Sequence, residues 1–313
     1  MQQIFAQRPP TGFIGLGHMG GAMALRLLQA GFPLVVHDLS PDACAQFAAA
    51  GARIAASARE VADAVQVVFL CLPSAAASRA VATGPKGLVN GQTLRVVVET
   101  STVGPTAVRQ LGVDLAARGV AVVDAPVSGG PRGAQAGTLS MMHSGAAEAV
   151  AAVLPQLQAI AGRHFDVGIE PGLAQVCKLV NNAIAAAGMV AACEATVLGV
   201  KAGLDAGTML DAINAGSGRN AGTLDKFPRS ILTGSFDFGG PLHLMLKDLS
   251  LFIEEASAHG VVTEMAPAAL SVWQRSVDRL GVAADYAELI RPLEMDAGVE
   301  VRSRSATTEP RNP

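Results

Sequence analysis

The sequence predicts an α/β protein in which an N-terminal, doubly wound parallel sheet is followed by an all-α domain, the two joined through a long central helix. Three observations predict it. Over the first half, short apolar runs alternate with helical patterns, and unbroken apolar runs suit parallel strands buried on both faces. After Lys201 strand patterns vanish and helical ones continue to Gly298, interrupted at 216–218, Gly234 and 239–241. Between the halves lies an alanine-rich run, 172–203, with apolar residues at helical spacing. At 313 residues, two domains are expected. The divisions are 1–170 for the sheet domain, 171–203 for the helix, 204–300 for the helical domain and 301–313 for a polar, disordered tail.

Composition narrows the class further. Apolar residues make up 50% and charged residues 16%, which is the balance of a globular chain with a sizeable core. A net charge of −3 gives no electrostatic case for nucleic acid. Cys44, Cys71, Cys177 and Cys193 are scattered without a Cys-x-x-Cys pair, which points to a reducing cytoplasm and away from disulfides or structural zinc. The six histidines are dispersed and none stands at ligand spacing, so no metal is expected. Residues 1–11 carry no apolar signal core. The most membrane-like stretch, 183–200, contains Glu194 and lacks basic anchors; it reads as a buried helix of a soluble protein, with no membrane partner.

The first strand, 11–16, runs into Gly15-Leu16-Gly17-His18-Met19-Gly20; a helix follows to Ala30, and a second strand, 33–37, ends in Asp38. The spacing is a Rossmann-type dinucleotide signature. One glycine permits the tight turn, one lets the backbone approach a pyrophosphate, one allows close helix packing, and the helix N-terminus favours the phosphate charge. Asp38, 18 residues beyond Gly20, would accept hydrogen bonds from the adenosine ribose hydroxyls and repel a 2′-phosphate. Leu39 and Ser40 supply no arginine for that phosphate, so NAD is preferred, with NADP possible. The alternative role for Asp38 is to cap the helix starting near Pro41.

The alternation continues through a helix at 41–50, a strand near Arg53-Ile54, a helix at 57–64, and strands at 67–72 and 94–99. Ligands of open α/β sheets sit at the carboxyl ends of strands. Leu72-Pro73-Ser74 and the loop containing Thr102 are therefore expected beside the nicotinamide half of the cofactor, the competing reading being helix capping. A strand at 120–123 leads to Ser128-Gly129-Gly130, and 137–142 alternates like another strand. Amides of a Ser-Gly-Gly turn can converge on a carboxylate because glycine has no Cβ to crowd it.

In the central helix, Leu173, Val176, Cys177, Val180, Ile184 and Ala187 recur at helical spacing, which reads as an amphipathic to fully buried helix. Lys178 and Asn182 are four apart, so they stack on one face: a proton donor beside an amide able to hold an oxygen. Lysines on helices are most often solvated charges.

Taken together, these pieces resemble the β-hydroxyacid dehydrogenase family, from about Gly12 to Gly298. Its motifs stand here as the glycine turn through Gly20, Asp124-Ala-Pro-Val-Ser128-Gly129-Gly130, Gly137-Thr-Leu139, the 172–182 segment with its lysine, and Leu246-Lys247-Asp248-Leu249. The chain departs from the family's glycine-rich approach to the lysine in reading Pro171-Gly-Leu-Ala-Gln175. The resemblance implies reversible NAD(P)-dependent oxidation of a small 3-hydroxy acid to its semialdehyde or keto acid. It implies Lys178 as the general acid/base and Asn182 as its substrate-orienting neighbour. Ser128, Gly129 and Gly130 would bind the substrate carboxylate, Thr102 would lie by the nicotinamide ribose, and Lys247 would reach the cofactor from the second domain. It also implies a homodimer or homotetramer. Hydride transfer requires the hydroxyl proton to leave. An amine of ordinary pKa about 10.4 needs burial and a second cation, such as Lys247 or the oxidised nicotinamide, to titrate near neutrality. Arg219 and Asn220, after Gly216-Ser-Gly218, are candidates for reading the substrate's distal group. Two other functions share the architecture: an imine reductase-like NADPH enzyme, whose family members usually lack the lysine, and a non-catalytic cofactor-binding interaction module.

Overall fold

The structure is a computed structural model and describes residues 8–303. Residues 1–7 and the tail from 304 lie outside it, and with them most of the segment read as lacking a signal core and most of the polar tail. By compactness the chain divides within one helix, between Lys178 and Leu179. Each unit has its own core.

The first unit is built on a nine-stranded sheet. Strands β1 (Thr11–Ile14), β2 (Leu34–His37), β3 (Arg53–Ile54), β4 (Val67–Leu70), β5 (Val96–Glu99) and β6 (Ala121–Asp124) run parallel in the order β3-β2-β1-β4-β5-β6. This is the doubly wound order with its reversal beside β1, the place where such sheets bind ligands. Antiparallel pairing then adds β7 (Val127–Ser128) and β8 (Leu139–Ser144), and β9 (Ala161–Gly168) lies parallel on the far side of β8. Helices α1 (His18–Gln29), α2 (Pro41–Ala49), α3 (Ala58–Ala64), α4 (Ala75–Thr83), α5 (Pro105–Ala116), α6 (Gly130–Ala136) and α7 (Ala147–Ile160) fill the connections.

Helices cover both faces of the sheet because both are apolar. On one face Phe13, Phe69 and Val98 pack against Met23 and Leu27 of α1 and Leu157 of α7, with Phe13 and Phe69 stacked at 5.9 Å. On the other, Ile14, Val68 and Val97 meet Val61 of α3 and Leu111 and Leu115 of α5. Each such side chain contributes about 1.5–3 kcal/mol on burial. The strands hold register across the sheet: Ile14 pairs Leu70, Leu70 pairs Glu99, and Glu99 pairs Asp124. The loops that follow these four residues therefore leave from one edge.

Helix α8 (Leu173–Lys201) crosses the division. Among the described residues it is the one helix long and apolar enough to cross a membrane, a test that core helices of soluble proteins also pass. Beyond it the second unit is helical: α9 (Ala206–Ala215), a π-helical segment (Gly222–Ile231), α10 (Leu242–Ala258), α11 (Met265–Leu280), a 3-10 turn (Tyr286–Ile290) and α12 (Arg291–Ala297). Its core gathers Met189, Cys193, Phe227, Leu249 and Trp273. Trp273 is fully buried, packs tilted against Tyr286 with ring centroids 4.8 Å apart and donates its indole N–H to the Ala186 carbonyl at 3.4 Å.

Three expectations need correction. The apolar spacing on α8 marks the core face only in part: Val176, Cys177 and Ala187 are half-buried but Leu173, Val180 and Ile184 are exposed, Ile184 at 71%, whereas Ala174, Gln175, Lys178, Leu179, Asn182 and Ala186 are buried. Small and hydrogen-bonded polar residues allow close packing there, which a count of large apolar residues does not register. The tail begins docked instead of disordered. Glu294 accepts from the Val301 amide and pairs with Arg302, both at 2.7 Å, and the Ser303 amide donates to the Leu232 carbonyl at 3.0 Å. Strand β9 was not expected, because its residues after Ala161 are half-buried or exposed and it lacks an apolar run.

Candidate active site

At the carboxyl edge of the sheet the glycine turn is held by backbone sterics. Gly15 has φ +94°, and a Cβ there would lie 2.2 Å from the Cys71 carbonyl oxygen; a Cβ on Gly20 would lie 1.9 Å from the Gly15 carbonyl oxygen. Both glycines are therefore fixed by the close approach of β1, α1 and the chain after β4. Gly17 differs in that nothing lies within 4 Å of where its Cβ would be. It precedes α1 as an N-cap without any side-chain cap. The helix end thus keeps its partial positive charge, with room beside it for an anion. Leu16 is buried, His18 exposed and Met19 half-buried.

Asp38 follows β2 and faces the same turn. Its carboxylate accepts from the Leu16 amide at 2.5 Å and from the Ser40 amide at 2.7 Å. The cap of α2 is Ser40, whose hydroxyl accepts from the Ala43 amide; Asp38 does not perform that role. An open glycine, an uncapped helix and a carboxylate one strand away fit the pyrophosphate and ribose of a dinucleotide.

The next loops leave from β4 and β5. The Leu72 amide donates to the Ser101 hydroxyl at 2.7 Å, which ties the loop of Leu72, Pro73 and Ser74 to the one carrying Thr102. The Ser74 hydroxyl caps α4 by accepting from the Ala77 amide at 3.2 Å, so capping, the competing reading, is observed there. Burial raises the Cys71 thiol to about 12, so it remains a neutral thiol. Two carboxyls close the strands: burial raises Glu99 to about 7, although the Ser101 hydroxyl and amide oppose the shift. Burial likewise raises Asp124 to about 6 against bonds from Gln175, Gly172 and Ser144. Beyond Asp124, Ser128 lies in β7; Gly129, the residue before α6, has φ +130°, and Gly130, its first residue, has φ +65°.

Lys178 stands in the second turn of α8 and is 8% exposed, so a solvated surface charge is excluded. In the second unit, Asn182 is buried too. Its amide nitrogen donates to Asp248 Oδ2 at 2.6 Å and its oxygen accepts from Asn181 at 3.0 Å. The other oxygen of Asp248 pairs with Lys247 Nζ at 2.8 Å. Asp248 is a further candidate: the motif with Lys247 includes it but gives it no role, since a Lys-Asp pair on a helix reads equally well as solvated surface, and its signal was the apolar run on both sides. Arg219 is exposed on the loop after α9. Asn220 is committed to capping, its side-chain oxygen accepting from the Gly222 and Thr223 amides.

The family described as the NAD binding domain of 6-phosphogluconate dehydrogenase matches residues 10–168, and that described as NAD-binding of NADP-dependent 3-hydroxyisobutyrate dehydrogenase matches residues 172–293. The chain belongs to the β-hydroxyacid dehydrogenase family. It is 36% identical to 2-(hydroxymethyl)glutarate dehydrogenase of Eubacterium barkeri over 93% of this chain and 96% of that protein. It is 37% identical to an NAD-dependent L-serine dehydrogenase of Pseudomonas aeruginosa over 88% and 93% respectively. Among solved structures, 3-hydroxyisobutyrate dehydrogenase of Mycobacterium tuberculosis with L-serine superposes with a TM-score of 0.83 at 29% identity, covering 91% of this chain and 99% of that one. An imine reductase of Streptomyces aurantiacus, at 23% identity and TM-score 0.59 over 91% and 99%, shares the fold alone. The chain is accordingly an NAD(P)-dependent oxidoreductase of this family.

Proposed function

We propose that the protein interconverts a small 3-hydroxy acid and its semialdehyde or keto acid, preferring NAD, with Lys178 moving the hydroxyl proton. The observation that carries this is a buried lysine one helical turn before a buried, oriented asparagine. When bound, the nicotinamide supplies the acceptor for the hydride leaving the hydroxyl-bearing carbon. The neutral Lys178 amine takes the hydroxyl proton as the C–H bond breaks and the C=O bond forms; in reduction its ammonium returns that proton to the oxygen. Asn182 has one N–H on Asp248, which leaves the second to hold the substrate oxygen. Ser128, Gly129 and Gly130 receive the carboxylate, Thr102 the nicotinamide ribose, and Lys247 the cofactor; Arg219 reads the distal end of the substrate.

Preference for NAD rests on Asp38, whose charge at the end of β2 disfavours a 2′-phosphate. The substrate class is supported by relatives named for L-serine, 3-hydroxyisobutyrate and 2-(hydroxymethyl)glutarate. The reading includes a cytoplasmic homo-oligomer that requires neither membrane nor nucleic acid. It is supported by four free cysteines and by exposed Val180, Ile184 and Leu198 along α8, which a second copy would cover.

Lys178→Met tests the chemistry. We expect kcat to fall by about 10³-fold while NADH still binds; undiminished hydroxy-acid oxidation by the variant would overturn the reading.

A further inference from the structure

Gln175 takes no part in the chemistry above, yet it is fully buried and its side-chain amide uses its whole hydrogen-bonding capacity. The oxygen accepts from the Val103 and Gly104 amides at 2.9 and 3.0 Å. The nitrogen donates to the Ser101 carbonyl at 3.0 Å and to Asp124 Oδ1 at 2.8 Å. An amide has two acceptor sites and two donor hydrogens, and here all four are placed. Its own backbone N–H donates to Asp124 Oδ2 at 2.9 Å. The bonds reach 51 to 74 residues back along the chain, so they join elements and do not decorate one helix.

What they join is specific. One side is the segment after β5, where Ser101 also receives the Leu72 amide; this segment includes Thr102 and runs to Gly104. The other side is the first turn of α8. Lys178 lies three residues further on, about 4.5 Å along the axis. We infer that Gln175 is a positioning residue that keys the start of α8, one turn before Lys178, to the loop after β5 and the end of β6, setting where the Lys178 amine sits against the cofactor. This inference rests on the dehydrogenase reading. No other side chain of that length can replace the pattern. Methionine keeps the shape and loses all four bonds. Glutamate keeps the acceptors, loses both donors and sets a second carboxylate against Asp124.

The test uses the full-length Gln175→Met and Gln175→Glu proteins. Hydrogen–deuterium exchange is expected to accelerate at residues 101–104 and 172–178 in both, with the rest of the sheet protected as in wild type. For hydroxy-acid oxidation, kcat should fall by about 100-fold, the scale of a 1 Å misplacement, while KM for NAD stays near wild type. The Gln175→Glu variant should regain part of its kcat as pH falls, because a protonated carboxyl again has a donor; a residue that merely supports the fold would not confer that profile. Unchanged exchange at these segments, wild-type kcat in either folded variant, or a defect confined to KM for NAD would overturn the inference. If the methionine variant fails to fold, the isosteric glutamate variant decides. If the wild-type protein oxidises no hydroxy acid, the dehydrogenase reading falls, and the exchange pattern still decides whether Gln175 fixes the turn.

Discussion

Two helices begin at the carboxyl edge of the same sheet, and their first turns are built in opposite ways. The N-terminus of α1 has no side-chain cap and has open space at Gly17. The N-terminus of α8 is closed by the protein itself: Asp124 Oδ2 accepts from the Gly172 and Gln175 amides, and the Ser144 hydroxyl accepts from Ala174. Every α-helix starts with orphan N–H groups and a partial positive charge. At α1 no side chain caps them; at α8 two of them meet a buried carboxylate, which holds the helix still. One end leaves room for an anion, and the other is fastened to the sheet by the protein's own groups.

The largest expected effect comes from undoing the closed end. Asp124→Ala orphans the Gly172 and Gln175 amides, at about 1–3 kcal/mol each; the thermal midpoint should drop sharply while the folded protein binds NADH as before. Loss of NADH binding without loss of stability would erase the distinction between the two ends. At the open end, Gly20→Ala drives a Cβ to 1.9 Å from the Gly15 carbonyl oxygen. NADH affinity should fall by about 100-fold, or roughly 2.7 kcal/mol, by titration of protein fluorescence; Gly17→Ala, which meets nothing within 4 Å, should leave folding intact and weaken NADH alone.

Asp38→Ser sharpens the open end further. Removing the charge should raise kcat/KM with NADP relative to NAD by about tenfold, near 1.4 kcal/mol, and a wild-type preference for NADP would contradict the role given to Asp38. The smallest effect concerns Glu99, at the β5 end between the two. Its pKa rises from the usual 4.5 to about 7 by burial, so across that window the folded state holds more protons than the unfolded one and stability falls as pH rises. Glu99→Gln should remove its share of that slope, while Asp124 keeps acting in the same direction between 3.8 and about 6; urea midpoints of the variant and the wild type across this pH range check it.

The two ends also differ in how legible they are. The glycine turn, Asp38 and the βαβ order could be read from sequence because their physical demands are local: a tight turn, a close approach and an acid one strand away. Spacing and motif context single out Lys178 and Asn182, and both are buried. The closure of α8 was not found. Asp124 and Gln175 stand 51 residues apart, and Asp248 reaches Asn182 across 66; polar partnerships at such separations leave no periodicity. The same is true of the helix phase, since alanines and hydrogen-bonded polar groups line the inner face of α8 while Ile184 and Leu198 point outward.

The central claim is that the open end holds a nicotinamide cofactor and the closed end presents an amine for hydroxy-acid oxidation. Its most direct test is NADH formation by the wild-type protein with 3-hydroxyisobutyrate, L-serine and 2-(hydroxymethyl)glutarate in turn, each with NAD and with NADP. The account predicts turnover with at least one of these acids and a higher kcat/KM with NAD; no reduced cofactor from any of them would contradict it.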